Sequence, residues 1–133
     1  MTFTRLRFHI ITATRGRKPL LTKDVEGFAY KEMRCSAERK CGKILVLGGI
    51  EDHVHMLVAT QPNVALSDFV KVIKQDSSRE ISKRFPHLND FKWQVGFTGF
   101  TVNPHDMDDV YAYISNQKNR HSRGTTKGAW EPG

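Results

Sequence analysis

Lys43-Ile44-Leu45-Val46-Leu47-Gly48-Gly49-Ile50-Glu51-Asp52-His53-Val54-His55-Met56-Leu57-Val58-Ala59-Thr60 is the stretch from which the fold can be read. Two apolar runs, Lys43 to Ile50 and His53 to Thr60, flank a tight turn around Glu51-Asp52, which predicts a β-hairpin. Side chains alternate faces along a strand, so His53 and His55 point one way and Val54 points the other, into the core. The two imidazoles stand roughly 6–7 Å apart by strand rise and can close on one metal ion. Paired strand histidines also occur as plain polar surface residues. A second constellation is needed to choose between these readings.

Working outward, Thr22 offers an N-cap with Asp24 in the first turn, Val25, Phe28, Ala29 and Met33 follow at helical spacing, and Gly42 stops the helix. Pro62 and Asn63 break the pattern after the hairpin. A second helix follows with Leu66, Phe69, Val70 and Ile73 on its buried stripe, ending near Phe85-Pro86. Leu6 to Thr14 is β-branched and apolar and reads as the first strand. Trp93, Val95 and Phe97 alternate as a fourth, interrupted at Gly96 and Gly99 and resuming at Phe100 and Val102. The order βαββαβ predicts an α+β, ferredoxin-like domain: a four-stranded antiparallel sheet with two helices on one face.

An extra C-terminal helix starts at Asn103-Pro104, with Asn as N-cap and Pro at the first helical position. At 100° per residue, Met107, Val110, Tyr111 and Ile114 form its apolar stripe, which assigns Tyr111 to packing. Tyr113 lies off that stripe on a flank shared with Asp106, Gln117 and Arg120, with Gln117 one turn further on. A partly exposed tyrosine with hydrogen-bonding neighbours is the plainer reading of this helix taken alone. Beyond Arg120 the chain is rich in Ser, Gly, Thr and Lys. Residues 122–133 read as a mobile tail that Trp130 can dock.

At 133 residues the chain is a single-domain length, and a net charge of +7, from 21 Lys and Arg against 14 Asp and Glu, points to a polyanion. A merely solvated basic surface is the alternative. The clustering of Arg5, Arg7, Arg15, Arg17 and Lys18, of Arg39, Lys40 and Lys43, of Lys71 and Lys74, and of Arg79, Lys83 and Arg84 favours the polyanion, with nucleic acid first. No apolar run reaches the ~20 residues of a membrane span. Arg5, Leu6, Arg7 and Phe8 alternate charge with apolar residues, unlike a signal peptide, so the expected compartment is the cytoplasm. Cys35 and Cys41 fall within one predicted helix, about 9 Å apart along its axis and too far for a disulfide.

Taken together, the two constellations suggest a chemistry. His53, His55 and Gln117 around a divalent ion leave positions open for phosphodiester oxygens. The phenol of Tyr113 can then attack the phosphorus if the ion offsets charge at the scissile group. The product, a phosphotyrosine ester, conserves bond energy for religation.

His53-Val54-His55, a His-hydrophobe-His motif, together with Tyr113-Ile114-Ser115-Asn116-Gln117, resembles the HUH endonuclease superfamily. More closely the chain resembles the small single-tyrosine transposases of bacterial insertion sequences that act on single-stranded DNA. The likeness extends to Phe8 through Leu20, to Val70 through Lys74 with Ser77-Ser78, and to Trp93-Gln94 through Phe100-Thr101-Val102. The resemblance implies one transposase domain over 1–133, with His53, His55 and Gln117 as ligands of Mg²⁺ or Mn²⁺ and Tyr113 as nucleophile. It implies cleavage and rejoining of single-stranded, hairpin-containing DNA ends through a 5′-phosphotyrosine intermediate. It also implies a homodimer, and suggests that the C-terminal helix reaches across so that Tyr113 of one subunit completes the histidine site of the other. Where family members often place two adjacent histidines after the glutamine, this chain has Arg120-His121. Arg15, Arg17, Lys18, Lys74, Arg120 and His121 are the expected DNA contacts.

A related nickase of the Rep or relaxase type, or a domesticated relative that cuts without transposing, would use the same residues. A non-catalytic ferredoxin-like domain binding RNA or single-stranded DNA on its sheet is the alternative outside enzymes. That reading expects an aromatic strand signature, which Gly96-Phe97-Thr98-Gly99-Phe100 lacks at both ends. His9, on a strand among apolar residues, is read as a satisfied core or edge histidine. His87, His105 and His121 are read as solvent-facing.

Overall fold

In the computed structural model, which describes residues 6–132, the chain runs β1 (Leu6–Ala13), α1 (Lys23–Arg39), β2 (Lys43–Ile50), β3 (His53–Thr60), α2 (Leu66–Arg84), β4 (Thr98–Thr101), α3 (Met107–Ser115) and α4 (Gln117–Arg123). Arg5, part of the N-terminal charge alternation, lies outside the described residues. The strands form one sheet in the order β2-β3-β1-β4, every neighbouring pair antiparallel. This is the ferredoxin-like arrangement, with the expected hairpin bounded where the turn chemistry puts it.

The strand period of two divides the residues between two faces. Ile10 of β1 and Val54, Met56 and Val58 of β3 pack with Val25, Ala29, Met33 and Ala37 of α1 and with Phe69, Val70, Ile73 and Ile81 of α2, forming the main core. A smaller cluster on the opposite face joins Val46 and Leu57 to Val102, Val110 and Ile114. Helices therefore cover both faces: α1 and α2 on one, the tyrosine-bearing α3 on the other. Two buried polar contacts tie this layer together, Ser36 Oγ of α1 donating to Asp76 Oδ2 of α2 at 2.7 Å and Trp93 Nε1 donating to Ser77 Oγ of α2 at 2.9 Å.

Several local expectations need correction. The fourth strand is only Thr98–Thr101; Trp93 makes an isolated bridge to Thr14, and between them Gly96 takes φ +83° and leaves Val95 93% exposed. The apparent alternation of 93, 95 and 97 is broken by a backbone only glycine adopts readily. Helix α1 ends at Arg39, so Cys41 stands in the following turn with φ +61°, outside the helix assigned to it. The C-terminal helix breaks at Asn116, with φ −103° and ψ 19°, into α3 and α4. Among the described residues no helix is long and apolar enough to cross a membrane.

Contact between α3 and the sheet depends on Gly48. A Cβ at that position would lie 1.9 Å from the carbonyl oxygen of Ile114, so the helix backbone rests directly on β2. At Gly27, inside α1, a Cβ would meet nothing within 4 Å. Gly48→Ala is accordingly expected to lower unfolding free energy by about 1–3 kcal/mol through overpacking. Gly27→Ala should raise it by roughly 0.5–1 kcal/mol, because alanine is the better helix former. Chemical denaturation of the two variants measures the contrast, and equal midpoints would contradict the close approach.

Candidate active site

The antiparallel register sets His53 opposite Ala13, His55 opposite Ile11 and His9 opposite Leu57, so the three imidazoles share the α3 face of the sheet. All three are buried. His9, on a central strand, hydrogen-bonds through Nε2 to Nδ1 of His55 at 2.9 Å, which makes it the satisfied core histidine expected. Nδ1 of His53 bonds Oδ1 of Asp52 at 2.7 Å, and the other Asp52 oxygen accepts from Nε of Arg17 at 3.1 Å. Each histidine of the pair is thus anchored on the side away from its neighbour. Such anchoring orients imidazoles for a metal ion.

On the facing side, Nε2 of His53 and Nε2 of His55 are buried without a hydrogen-bond partner of acceptable geometry. Glu131, from the C-terminal segment, brings Oε1 to 3.1 Å from His53 Nε2 and Oε2 to 3.5 Å from His55 Nε2. With Asp52 accepting from the Nδ1–H of His53, the Nε2 of that ring carries a lone pair directed at a carboxylate oxygen. Two acceptors so close repel unless a proton or cation lies between them. Ligand atoms of His53, His55 and Glu131 lie within 4.8 Å of one another, and two imidazoles with a carboxylate are a suitable donor set for a divalent ion. Burial holds the titration of His55 below the ordinary imidazole value and that of His9 down to about 4, so both remain neutral near pH 7. A neutral imidazole is the form that binds metal.

Tyr113 occupies the same cavity. It is fully buried, with its ring centroid 5.8 Å from that of His55, whereas Tyr111 is 48% exposed. The expected roles of the two tyrosines in packing are therefore reversed. The buried side of α3 runs Val110, Tyr113 and Ile114 and continues to Gln117 in α4, because this side faces the histidine-bearing sheet. The Tyr113 hydroxyl donates to Oε2 of Glu131 and accepts from the backbone N–H of Lys127 at 2.9 Å. Burial and the carboxylate neighbour push the phenol above its usual value and keep it protonated. Arg120 places its guanidinium 4.7 Å from the centre of the tyrosine ring, a cation–π distance.

Gln117 is buried beside them, Nε2 donating to Glu131 Oε2 at 3.3 Å and Oε1 facing His121 Nε2 at 3.1 Å. His121 also lies 3.0 Å from Glu131 Oε1, so it belongs to this cluster and is not the solvent-facing residue expected. Trp130 docks its segment, its ring 5.1 Å from that of Tyr113 and 5.8 Å from that of His9. Glu131 itself was missed in the sequence reading, and adjacency to a tryptophan that can dock was its one signal. Burial would raise the Glu131 carboxyl, but its contacts with His55 and the hydrogen bond from Tyr113 outweigh that and lower it to about 2.

Of the residues expected to meet DNA, Arg15 and Lys18 are exposed, while Arg17 is paired with Asp52 at 3.1 Å. Lys74 donates to the carbonyls of Gln94 and Gly96, both at 2.6 Å, and braces the irregular 94–96 segment.

Known proteins share this sequence pattern and fold. Residues 2–117 match the family described as Transposase IS200-like. ISDra2 transposase TnpA of Deinococcus radiodurans is 25% identical over 121 residues, 87% of this chain and 86% of that protein. A crystal structure of a Deinococcus radiodurans R1 chain assigned as a transposase superposes with a TM-score of 0.71 at 28% identity, covering 87% of this chain and 93% of that one. The REP-associated tyrosine transposase bound to a REP hairpin shares the fold, with a TM-score of 0.68 at 15% identity over 95% of this chain and 73% of that one. By the extent of the family match, which takes in the histidine pair, Tyr113 and Gln117, this chain belongs to the IS200-like transposases.

Proposed function

We propose that the protein cleaves and rejoins single-stranded DNA at the ends of its insertion sequence through a covalent 5′-phosphotyrosine intermediate. The observation that carries this reading is a single-tyrosine cavity in which the Tyr113 ring stands beside two buried histidines with free Nε2 atoms. In the cleavage step the Tyr113 oxygen gives up its proton and forms a bond to phosphorus, the bond to the 3′ oxygen breaks, and the departing 3′ oxygen takes up a proton to leave as a hydroxyl, so no net proton is gained or lost. Reversal by another 3′-hydroxyl rejoins the strand. His53, His55 and Gln117 would hold a divalent ion, Mg²⁺ or Mn²⁺, which supplies charge neutralisation at the phosphate. Of the two ions, the imidazole pair favours Mn²⁺.

The chain's own groups do the positioning. Trp130 and Arg120 fix the tyrosine ring, the Lys127 N–H fixes its oxygen, and Asp52 and His9 fix the imidazoles. Exposed Arg15 and Lys18, with the +7 net charge, would guide the phosphate backbone. The named hairpin partner of the REP-associated transposase supports a hairpin-containing substrate here. A module that binds RNA on an open sheet loses support, because α3 covers the face carrying the histidines. Excision requires two cleavages, so we also propose a homodimer that joins two sites, each formed within its own subunit as in the single chain.

Tyr113→Phe should abolish the covalent adduct with single-stranded DNA, seen as a shifted band on a denaturing gel, while binding stays within a few-fold. Tyr111→Phe should still form it. An adduct from Tyr113→Phe would overturn the assignment of the nucleophile. Chelation, or His53→Ala with His55→Ala, should stop adduct formation without unfolding the domain, because an ion here would serve chemistry and not the fold; full cleavage in excess chelator would remove the metal from the reaction. Mixing Tyr113→Phe protein with the double histidine variant should restore no adduct if each subunit builds its own site. Recovered activity would show that the tyrosine crosses between subunits.

A further inference from the structure

The C-terminal segment brings a carboxylate to a place that the proposed reaction leaves unexplained. Glu131 is 13% exposed, and its two oxygens span from His53 and His55 on one side to Tyr113 on the other. His121 and Gln117 close the remaining approaches at 3.0 and 3.3 Å. A carboxylate in that position has two properties at once. It faces two imidazole nitrogens that lack other partners, as a metal ligand does. It also bridges the nucleophilic oxygen and the histidine pair, which is where an anionic phosphodiester must enter to be attacked.

We propose that Glu131 is a protein ligand of the divalent ion in the DNA-free enzyme, and that incoming single-stranded DNA must displace it from beside Tyr113. The inference rests on the reading of the site as a metal-dependent tyrosine nuclease. The donor chemistry favours it. Two imidazole nitrogens without other partners face the carboxylate at 3.1 and 3.5 Å, and a carboxylate oxygen adds to the donor set the hard ligand that Mn²⁺ accepts well. The placement of Glu131 is also supported by its neighbours. Trp130, next in sequence, is wedged against the Tyr113 and His9 rings, and the Lys127 N–H holds the tyrosine oxygen, so the segment enters the cavity in a defined way. A carboxylate and a phosphate are both anions that can meet the same ion, which makes the exchange chemically even.

Two readouts on the full chain test this. Mn²⁺ binding without DNA, followed by calorimetry and by electron paramagnetic resonance, should weaken on the order of 10-fold or more in Glu131→Gln and Glu131→Ala, with circular dichroism unchanged. At saturating Mn²⁺, the single-stranded DNA concentration for half-maximal adduct formation should fall several-fold in both variants. Unaltered Mn²⁺ affinity would show that Glu131 is no ligand. Weakened Mn²⁺ binding with an unchanged or raised half-saturating DNA concentration would show that the carboxylate is not in the path of the DNA. If wild-type protein forms no adduct at all, the nuclease reading fails by itself, and the Mn²⁺ titration still decides whether Glu131 is a ligand.

Discussion

The backbone contact at Gly48 is the constraint on which the candidate active site depends. Because this position carries no Cβ, the carbonyl of Ile114 can lie directly on β2. Gly48 pairs with His55 across the hairpin, so the helix lands beside the histidine pair. A residue with a side chain would lift α3 away from the sheet, and Tyr113, next in sequence to Ile114, would lose its place near the imidazoles. The tyrosine's depth thus comes from a glycine in a strand, a position where glycine otherwise weakens a sheet.

The sheet supplies the other half of the site through its register. A one-residue slip of β3 against β1 would turn His53 and His55 toward α1 and α2 and bring Val54 out in their place. The long apolar stripe of Val54, Met56 and Val58 prevents it, since all three are fully buried against those helices. Packing on one face therefore holds the chemistry on the other. Arg17 extends the same logic: its guanidinium is engaged with Asp52, which in turn orients His53, so part of the basic turn serves the imidazoles before any ligand is considered.

The hairpin, both long helices and the strand order were legible because turn residues and apolar spacing agree at every point from Leu6 to Arg84. The histidine pair was legible for the same reason, as strand alternation fixes a face without reference to the rest of the molecule. The sequence pattern fails where tertiary contacts decide. Val95 follows Trp93 at strand spacing but lies in a segment that Lys74 braces through two backbone carbonyls. Tyr111 and Tyr113 exchanged burial because a helical wheel ranks residues by apolarity and cannot know that polar imidazoles line the surface below. Glu131 sits in a stretch without periodicity, and only the folded chain brings it 14 residues back to Gln117 and across to His53.

The two clusters of buried side chains are unequal, and that inequality bears on how the enzyme moves. The large cluster locks the sheet to α1 and α2; the small one, Val46, Leu57, Val102, Val110 and Ile114, seats α3 on the opposite face, with the contacts at Gly48 and Tyr113. Regions with few buried apolar contacts open at lower free energy than the rest of a domain. The face carrying α3 is therefore the one expected to open first, with the histidines left on the more strongly packed sheet. Local opening of this kind would expose the buried phenol of Tyr113 and the imidazoles beneath it, with the remainder of the fold undisturbed.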